Sequence, residues 1–508
     1  SGCLSVTISS GASATIGNEV STSLPATLPA SAARASPAPM LAATALRACC
    51  AFTPTEDRNP NLTDQQFLST PAAGASWLRG TSRQFLLTLN GVVQNAELGS
   101  DNYFNNYTTN NQQFDAPNIL YVDPDVTSIQ NTIARLRYMA SFGLDSVFPR
   151  DPLVTPNDKA EIYYLRGVAS LFAGEMFVGL PAVPNGPVVD AQANLNAAIA
   201  DFTQARTLST DVPSKNSYTL ALARAYHRLG NKAKAVEEAQ ALLTANPTFL
   251  RNASFDPVNG PSNNMTGVLT SSVNNFQPLP RLDFLDPKFL NRGATTQSPI
   301  AFQKSEEAHL IIAEANIADN SLTAAKDRLK QLLALVLTRT TELTDSRLQL
   351  RGRAAGKVIY PNTADTKVAF APGEPLQDGF VLTRSLPTVR VATVSGTSVT
   401  TARIDAITTA DDALYVLYLM RQEIFIAEGR RLADLGIKLP VAQTEVIANK
   451  NTKDGEPYTL AQIPSFIPRA FEMDAFTYDA AAKTVVIKHD MNRTLVLNKT
   501  SPLVLPFH

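Results

Sequence analysis

Between residues 216 and 246, apolar and small positions recur at helical spacing and then reverse direction. Leu222, Ala223 and Tyr226 precede Gly230, while Ala235 precedes Pro247. This order predicts two antiparallel helices: Ala223 and Ala235 let the axes approach, Gly230 permits the turn, and Pro247 ends the second helix. The register recurs twice. Gly167 and Gly174 fall on one helix and Ala198, Phe202 and Ala205 on the next, with residues 175–190, including the loop from Val178 to Pro187, inserted between them. The third copy runs through Ile312, Ala313, Asn320 and Ala325. There Asn320 takes the place of Gly230, because asparagine tolerates the left-handed conformation. Residues at these positions are read as scaffold rather than site.

The spacing of the first copy resembles the tetratricopeptide repeat, whose helical hairpins stack to bury a continuous core and offer concave faces and loops for binding. Outside the repeats the pattern changes. Trp77, the only tryptophan, lies in a helical pattern that predicts a core position. Residues 357–407 alternate and are rich in strand formers, and Thr484–Ile487 through Leu495–Leu497 read as further strands. A helix is expected from about Ala413 to Gly436. The predicted architecture is mainly α, with an extended low-complexity arm over 1–48, a helical repeat body over 49–350 and an irregular, β-containing lobe with short hairpins over 351–508.

The arm is rich in Ser, Ala, Thr and Pro and nearly uncharged, so it has no core of its own. Within it Leu4, Val6 and Ile8 alternate with Ser5 and Thr7, the pattern of a strand with one buried face. Such a strand needs a partner sheet, on this chain or on a neighbouring copy that accepts residues 1–25. The three cysteines are Cys3, Cys49 and Cys50. Ser1-Gly2-Cys3 and Leu46-Arg47-Ala48-Cys49 both look like the end of a bacterial lipoprotein signal, making Cys3 and Cys49 alternative lipidation sites.

Composition narrows the function. A net charge of −1 over 508 residues provides no field for phosphates, so nucleic acid is not an expected partner. No run approaches the roughly 20 apolar residues of a membrane-spanning helix. Metalloprotease, hydrolase-elbow, P-loop and dinucleotide motifs are all lacking, and His227, His309, His489 and His508 are scattered. The chain is therefore read as a non-enzyme, with no metal and no cofactor.

Leu310-Ile-Ile-Ala-Glu-Ala315 resembles a helix of the SusD/RagB-type outer-membrane lipoproteins, the glycan-binding partners of TonB-dependent transporters. Glu428-Gly-Arg-Arg-Leu-Ala-Asp-Leu435 is similar to a late signature of that family, and Asn59-Pro60-Asn61 and Asp286-Pro287-Lys288 follow the family's order. The resemblance covers residues 50–508. It implies a SusD-like tetratricopeptide scaffold on the external face of a bacterial outer membrane or outside the cell, with a glycan or peptide ligand and a SusC-type TonB-dependent transporter as partner. Read from the residues alone, Glu428, Arg430, Arg431 and Asp434 share a helical face at i,i+3 and i,i+4 spacing, which favours an ion-pair network over a catalytic carboxylate pair. Together with Glu314 they form the structural signature.

Sugars pack their C–H faces on aromatic rings and pair their hydroxyls with amides, carboxylates and guanidinium groups. The segment richest in that chemistry follows the first long helix: Asp101, Asn102, Tyr103, Asn105, Asn106 and Tyr107 are the candidate ligand residues. Asn275 and Phe276 form a second candidate pair. These features point to a non-catalytic surface protein that captures glycan or peptide for a transporter. The alternative is a self-assembling extracellular filament or surface-layer subunit whose arm exchanges strands with a neighbouring copy.

Overall fold

Helix starts are written into the sequence as acids and hydroxyls placed just ahead of prolines or small residues. Asp123, just ahead of Pro124, accepts from the Asp125 amide, Asp190 from the Ala193 amide and Asp211 from the Ser214 amide. Thr155 with Asp158, and Thr409 with Asp412, close reciprocal capping boxes. In this computed structural model the described residues are 67–105, 112–270, 276–289, 297–348, 358–505 and 507. The arm, with Cys3, Cys49 and residues 1–25, lies outside them.

The long helices are α1 (Ala73–Leu98), α2 (Pro124–Phe142), α3 (Pro156–Met176), α4 (Ala191–Leu208), α5 (Val212–Arg228), α6 (Lys232–Ala245), α7 (Ser305–Ala318), α8 (Leu322–Thr338) and α9 (Ala410–Ile424). Helices α3 and α4, α5 and α6, and α7 and α8 form three hairpins that stack side by side, as the sequence pattern predicts. In the α3–α4 hairpin the axes meet over glycine. A Cβ on Gly167 would lie 2.5 Å from the Phe202 ring, and one on Gly174 would lie 2.7 Å from Leu195. The turns of the other two hairpins are equivalent: Gly230 has φ 73° and Asn320 has φ 55°. Ala223, Ala235, Ala239, Ala308 and Ile312 fill the small core shared by α5, α6 and α7.

Strands are short and pair locally. β1 (Tyr103–Asn105) pairs antiparallel with β5 (Phe276–Pro278). β2 (Gly179–Pro181) and β3 (Val188–Asp190) make a hairpin within the predicted insertion, while β4 (Leu250–Ala253) pairs with β6 (Ile300–Lys304). β7 (Thr341–Thr344) pairs with β9 (Val389–Ala392), and β8 (Lys367–Ala369) lies parallel to β11 (Thr484–Ile487), which pairs with β10 (Phe476–Asp479). Trp77 packs 5.1 Å from Phe142 and donates its indole N–H to the Met139 carbonyl, a packing role.

Three expectations change. Leu495–Leu497 belongs to a helix, Met491–Leu497, because the Asp490 carboxylate caps the Asn492 and Arg493 amides, and a three-residue apolar run carries no period of its own. The helix expected to run to Gly436 ends at Ile424, where left-handed Ala427 (φ 58°) and Gly429 (φ 73°) break it before a four-residue turn, Arg431–Asp434. No division falls at residue 350: Asn61–His508 is one compact unit, and its main apolar core runs from Phe85 to Leu505.

The close approach at Gly167 predicts that Gly167→Ala lowers stability by about 1–3 kcal/mol through overpacking against Phe202. Urea unfolding followed by circular dichroism reads this as a lower midpoint, and an unchanged midpoint would remove the steric argument.

Candidate functional site

The segment after α9 collects buried charge from across the chain. Glu428 receives Lys288 at 2.9 Å and Lys304 at 2.8 Å, and Lys304 also donates to the Val394 and Ile424 carbonyls. The Gly429 amide donates to Glu97, at a place where a Cβ would press on the Val93 backbone at 3.2 Å. Arg430 donates to the Phe302 carbonyl and lies 3.4 Å from Glu307. Arg431 grips Asp101 with two bonds of 2.6 and 2.9 Å. Asp434 accepts from Arg421 and Arg228, and Arg228 reaches on to Glu175. Glu314 pairs with buried His227 at 2.7 Å. Burial pushes the Asp434 carboxyl up, and the Arg421 and Arg228 guanidinium groups override it, holding it well below its ordinary value. Asp101 is likewise held low, by Arg431 against its burial.

Glu428, Arg430, Arg431 and Asp434 all stand in buried ion pairs, but their geometry is not that of one helical face. Glu428 and Arg430 precede the turn Arg431–Asp434, and their partners come from α1, α5, α7, β6 and the segment around Lys288.

The same network claims two candidate ligand residues, Asp101 and Asn102, and two more are buried beside them. Asp101, Asn102, Tyr103 and Asn105 are buried, with Asp101 held by Arg431 and Gln422. Asn102 donates to Glu97 at 2.7 Å and accepts from Gln422. Tyr103 packs 6.5 Å from Phe276, which is itself buried. These five side chains do not form the exposed loop surface that the sequence suggested; burying a chain turn this polar requires that its groups be paired internally. Asn106, Tyr107 and Asn275 lie outside the described residues.

Exposed chemistry of the expected kind appears immediately downstream. Residues 112–118 pack against residues 469–471 around a depression of about 490 Å³. The Ala470 amide donates to the Ala116 carbonyl at 3.0 Å, and Arg469 donates to the Pro117 carbonyl at 2.8 Å. Asn118 donates to the Gln113 side-chain oxygen at 3.0 Å. Ala470 and Phe471 both hold left-handed backbone, φ 59° and 65°, and Phe471 is 45% exposed. Two adjacent residues in that region are costly, and such strain gathers at functional positions. Together they present an aromatic ring beside two amides and a guanidinium, a set that can stack a sugar ring and bond its hydroxyls. Asp115, within residues 112–118, and Asp474, three residues past Phe471, are buried; burial and the Asp115 charge push the Asp474 carboxyl well up.

Sequence reasoning missed Gln113, Asn118, Arg469 and Phe471, because single residues in aperiodic stretches carry no periodic signal. A larger depression, about 630 Å³ between α1, α3 and β4, has the buried Phe85 as its one aromatic lining residue, and its Arg251 is paired with Glu161 at 2.5 Å. Among the described residues no three His, Cys, Asp or Glu side chains could hold a metal ion. No helix there is long and apolar enough to cross a membrane.

Solved structures share this fold. A SusD superfamily protein from Parabacteroides distasonis superposes with a TM-score of 0.52 at 11% identity, covering 78% of this chain and all of its own. One from Bacteroides vulgatus gives 0.51 at 12% identity, covering 76% of this chain and 98% of its own. A candidate sugar-binding protein from the same organism gives 0.50 at 13% identity over the same shares. No protein-family model and no curated protein matches the sequence. The chain therefore has the SusD-like fold, with its helical hairpins as the scaffold.

Glu97 yields a pH prediction. It is fully buried and accepts from Asn102 and the Gly429 amide, yet burial outweighs these bonds and pushes its carboxyl up to about 7. A raised carboxyl contributes stability that is fully present below its unfolded value near 4.5 and is lost as pH rises through about 7. Melting temperatures at pH 5, 6, 7 and 8 should fall more steeply for the wild type than for Glu97→Gln. Parallel curves would mean that Glu97 titrates normally.

Proposed function

We propose that this chain is a non-catalytic binding protein of the bacterial cell surface that captures glycan on the shelf formed by Phe471, Gln113, Asn118 and Arg469. The observation that carries the reading is Phe471: a large ring is held half out of the protein by a strained backbone, where burial would be the unforced outcome. Among the described residues its neighbours supply donors and acceptors with no acid–base pair facing solvent, which suits retention rather than bond cleavage. The SusD-like fold supports the same reading, as does the candidate sugar-binding protein among its structural neighbours.

In this reading the captured oligosaccharide passes to a SusC-type TonB-dependent transporter, and a lipid on Cys3 or Cys49 anchors the chain at the outer face of the outer membrane. A peptide ligand would use the same ring and amides.

Affinity electrophoresis through gels containing a panel of polysaccharides tests the capture step. Phe471→Ala should weaken retention about tenfold in whichever gel retards the wild type, by loss of ring stacking. Equal retention of wild type and variant would remove the shelf. For the anchor, the native precursor expressed with labelled fatty acid should incorporate label, and one of Cys3→Ser and Cys49→Ser should abolish it. Label surviving in both single variants would rule out a unique lipidation site.

A further inference from the structure

A second surface feature lies away from the shelf. Helix α2, the β2–β3 hairpin and the helix Gln443–Ala448 enclose a groove of about 500 Å³. One wall is Tyr138, half exposed and stacked on Phe142 at 6.1 Å with 30° between the rings. The other is the hairpin loop, with Val183 61% exposed beside Pro184. This loop is held in place: Asn449 donates to the Gly186 carbonyl and Asn451 to the Asn185 carbonyl, each at 2.7 Å. A groove fixed in this way before binding loses little entropy on occupation.

The electrostatics favour an anion, since two cations, Arg135 and Arg137, line the groove with one carboxylate, Glu445. Arg137, buried, lines the groove and gives its terminal N–H groups to two neutral acceptors, the Pro181 carbonyl at 2.8 Å and the Asn194 side chain at 2.7 Å. Its Nε–H has no acceptor among the described residues. The carboxylate that acts on it, Asp201, is already gripped by Arg166 through bonds of 2.7 and 3.0 Å. Burial lowers the Arg137 guanidinium to about 10, so it stays charged at neutral pH. Exposed Arg135 adds a second cation, while Glu445 at the rim is engaged by Gln130 and Asn449. A buried charge without a counter-ion costs free energy, and an anion entering the groove would recover part of it.

We infer that this groove is a separate saccharide site selecting sugars that carry a carboxylate. The sugar ring lies against Tyr138, its carboxylate bonds to Arg135 in the field of Arg137, and Ser141 and Asn185 meet its hydroxyls. Proteins use this chemistry for hexuronates; a neutral sugar would fill the same space and leave the charge unanswered. An acidic peptide supplies carboxylates without a saturated hydroxylated ring for Tyr138, and it serves as a comparison.

Calorimetric titration of the full chain with short oligomers of galacturonate, glucuronate and mannuronate tests the assignment. At least one should bind, and its methyl ester should bind at least tenfold more weakly. Arg135→Ala and Tyr138→Ala, both at exposed positions, should each weaken the acidic ligand about tenfold. Phe471→Ala should leave that affinity unchanged, which separates this groove from the shelf. Failure of all three uronates to bind would overturn the assignment, as would equal binding of acid and ester, an oligoglutamate binding as tightly, or loss of uronate binding in Phe471→Ala.

Discussion

Asp101 and Arg431 are 330 positions apart in the chain, and their bidentate bond joins the turn after α1 to the turn after α9. Both groups are buried, so neither has water as an alternative partner. Losing one member of such a pair typically costs about 3–5 kcal/mol, because the other remains as an unpaired buried charge. Around this bond the remaining charges are arranged in relay. Gln422 touches Asp101 and Asn102, Asn102 touches Glu97, and Glu97 accepts from Gly429 two residues before Arg431. Asp434, three residues after Arg431, carries the relay through Arg228 to Glu175 at the end of α3. The helical hairpins, which could stack as a free-standing ladder, are thereby locked to the irregular half of the chain.

That lock explains where the binding chemistry can and cannot be. The polar turn 101–105 has the composition of a ligand loop, but its carboxylate and amides are spent on the interior. Among the described residues, exposed polar and aromatic groups gather where the chain leaves the network. Residues 112–118 and 469–471 meet in a strained, solvent-facing shelf. On the hairpin ladder the insertion between α3 and α4 opens a groove with its own ring and its own cations. The two features differ in charge: the shelf offers one exposed guanidinium with amides, whereas the groove keeps a buried guanidinium whose terminal N–H groups go to neutral acceptors.

The repeats were legible because their causes are local. Gly230 and Asn320 both take left-handed turns, Pro247 stands two residues beyond the end of α6, and Gly167 and Gly174 meet the second helix of their hairpin. The signature Glu428–Asp434 was legible as a set of charges but not as a shape, since a helix read forward from Ala413 gives no warning that Ala427 and Gly429 break it. The shelf was not legible at all. Arg469 and Phe471 are ordinary residues in an aperiodic stretch, and only the approach of Ala116 and Pro117 from more than 350 residues away makes them a surface.

The sequence by itself therefore determined the helical hairpins, their turns and the kind of chemistry to look for, because spacing, caps and turn residues act within a few positions of one another. Tertiary structure alone decided which polar groups face water. Whether an aspartate is a ligand or a strut depends on a partner brought from a distant segment, and burial, which makes an unpaired charge costly, assigns Asp101 to Arg431 while leaving Arg135 and Phe471 at the surface.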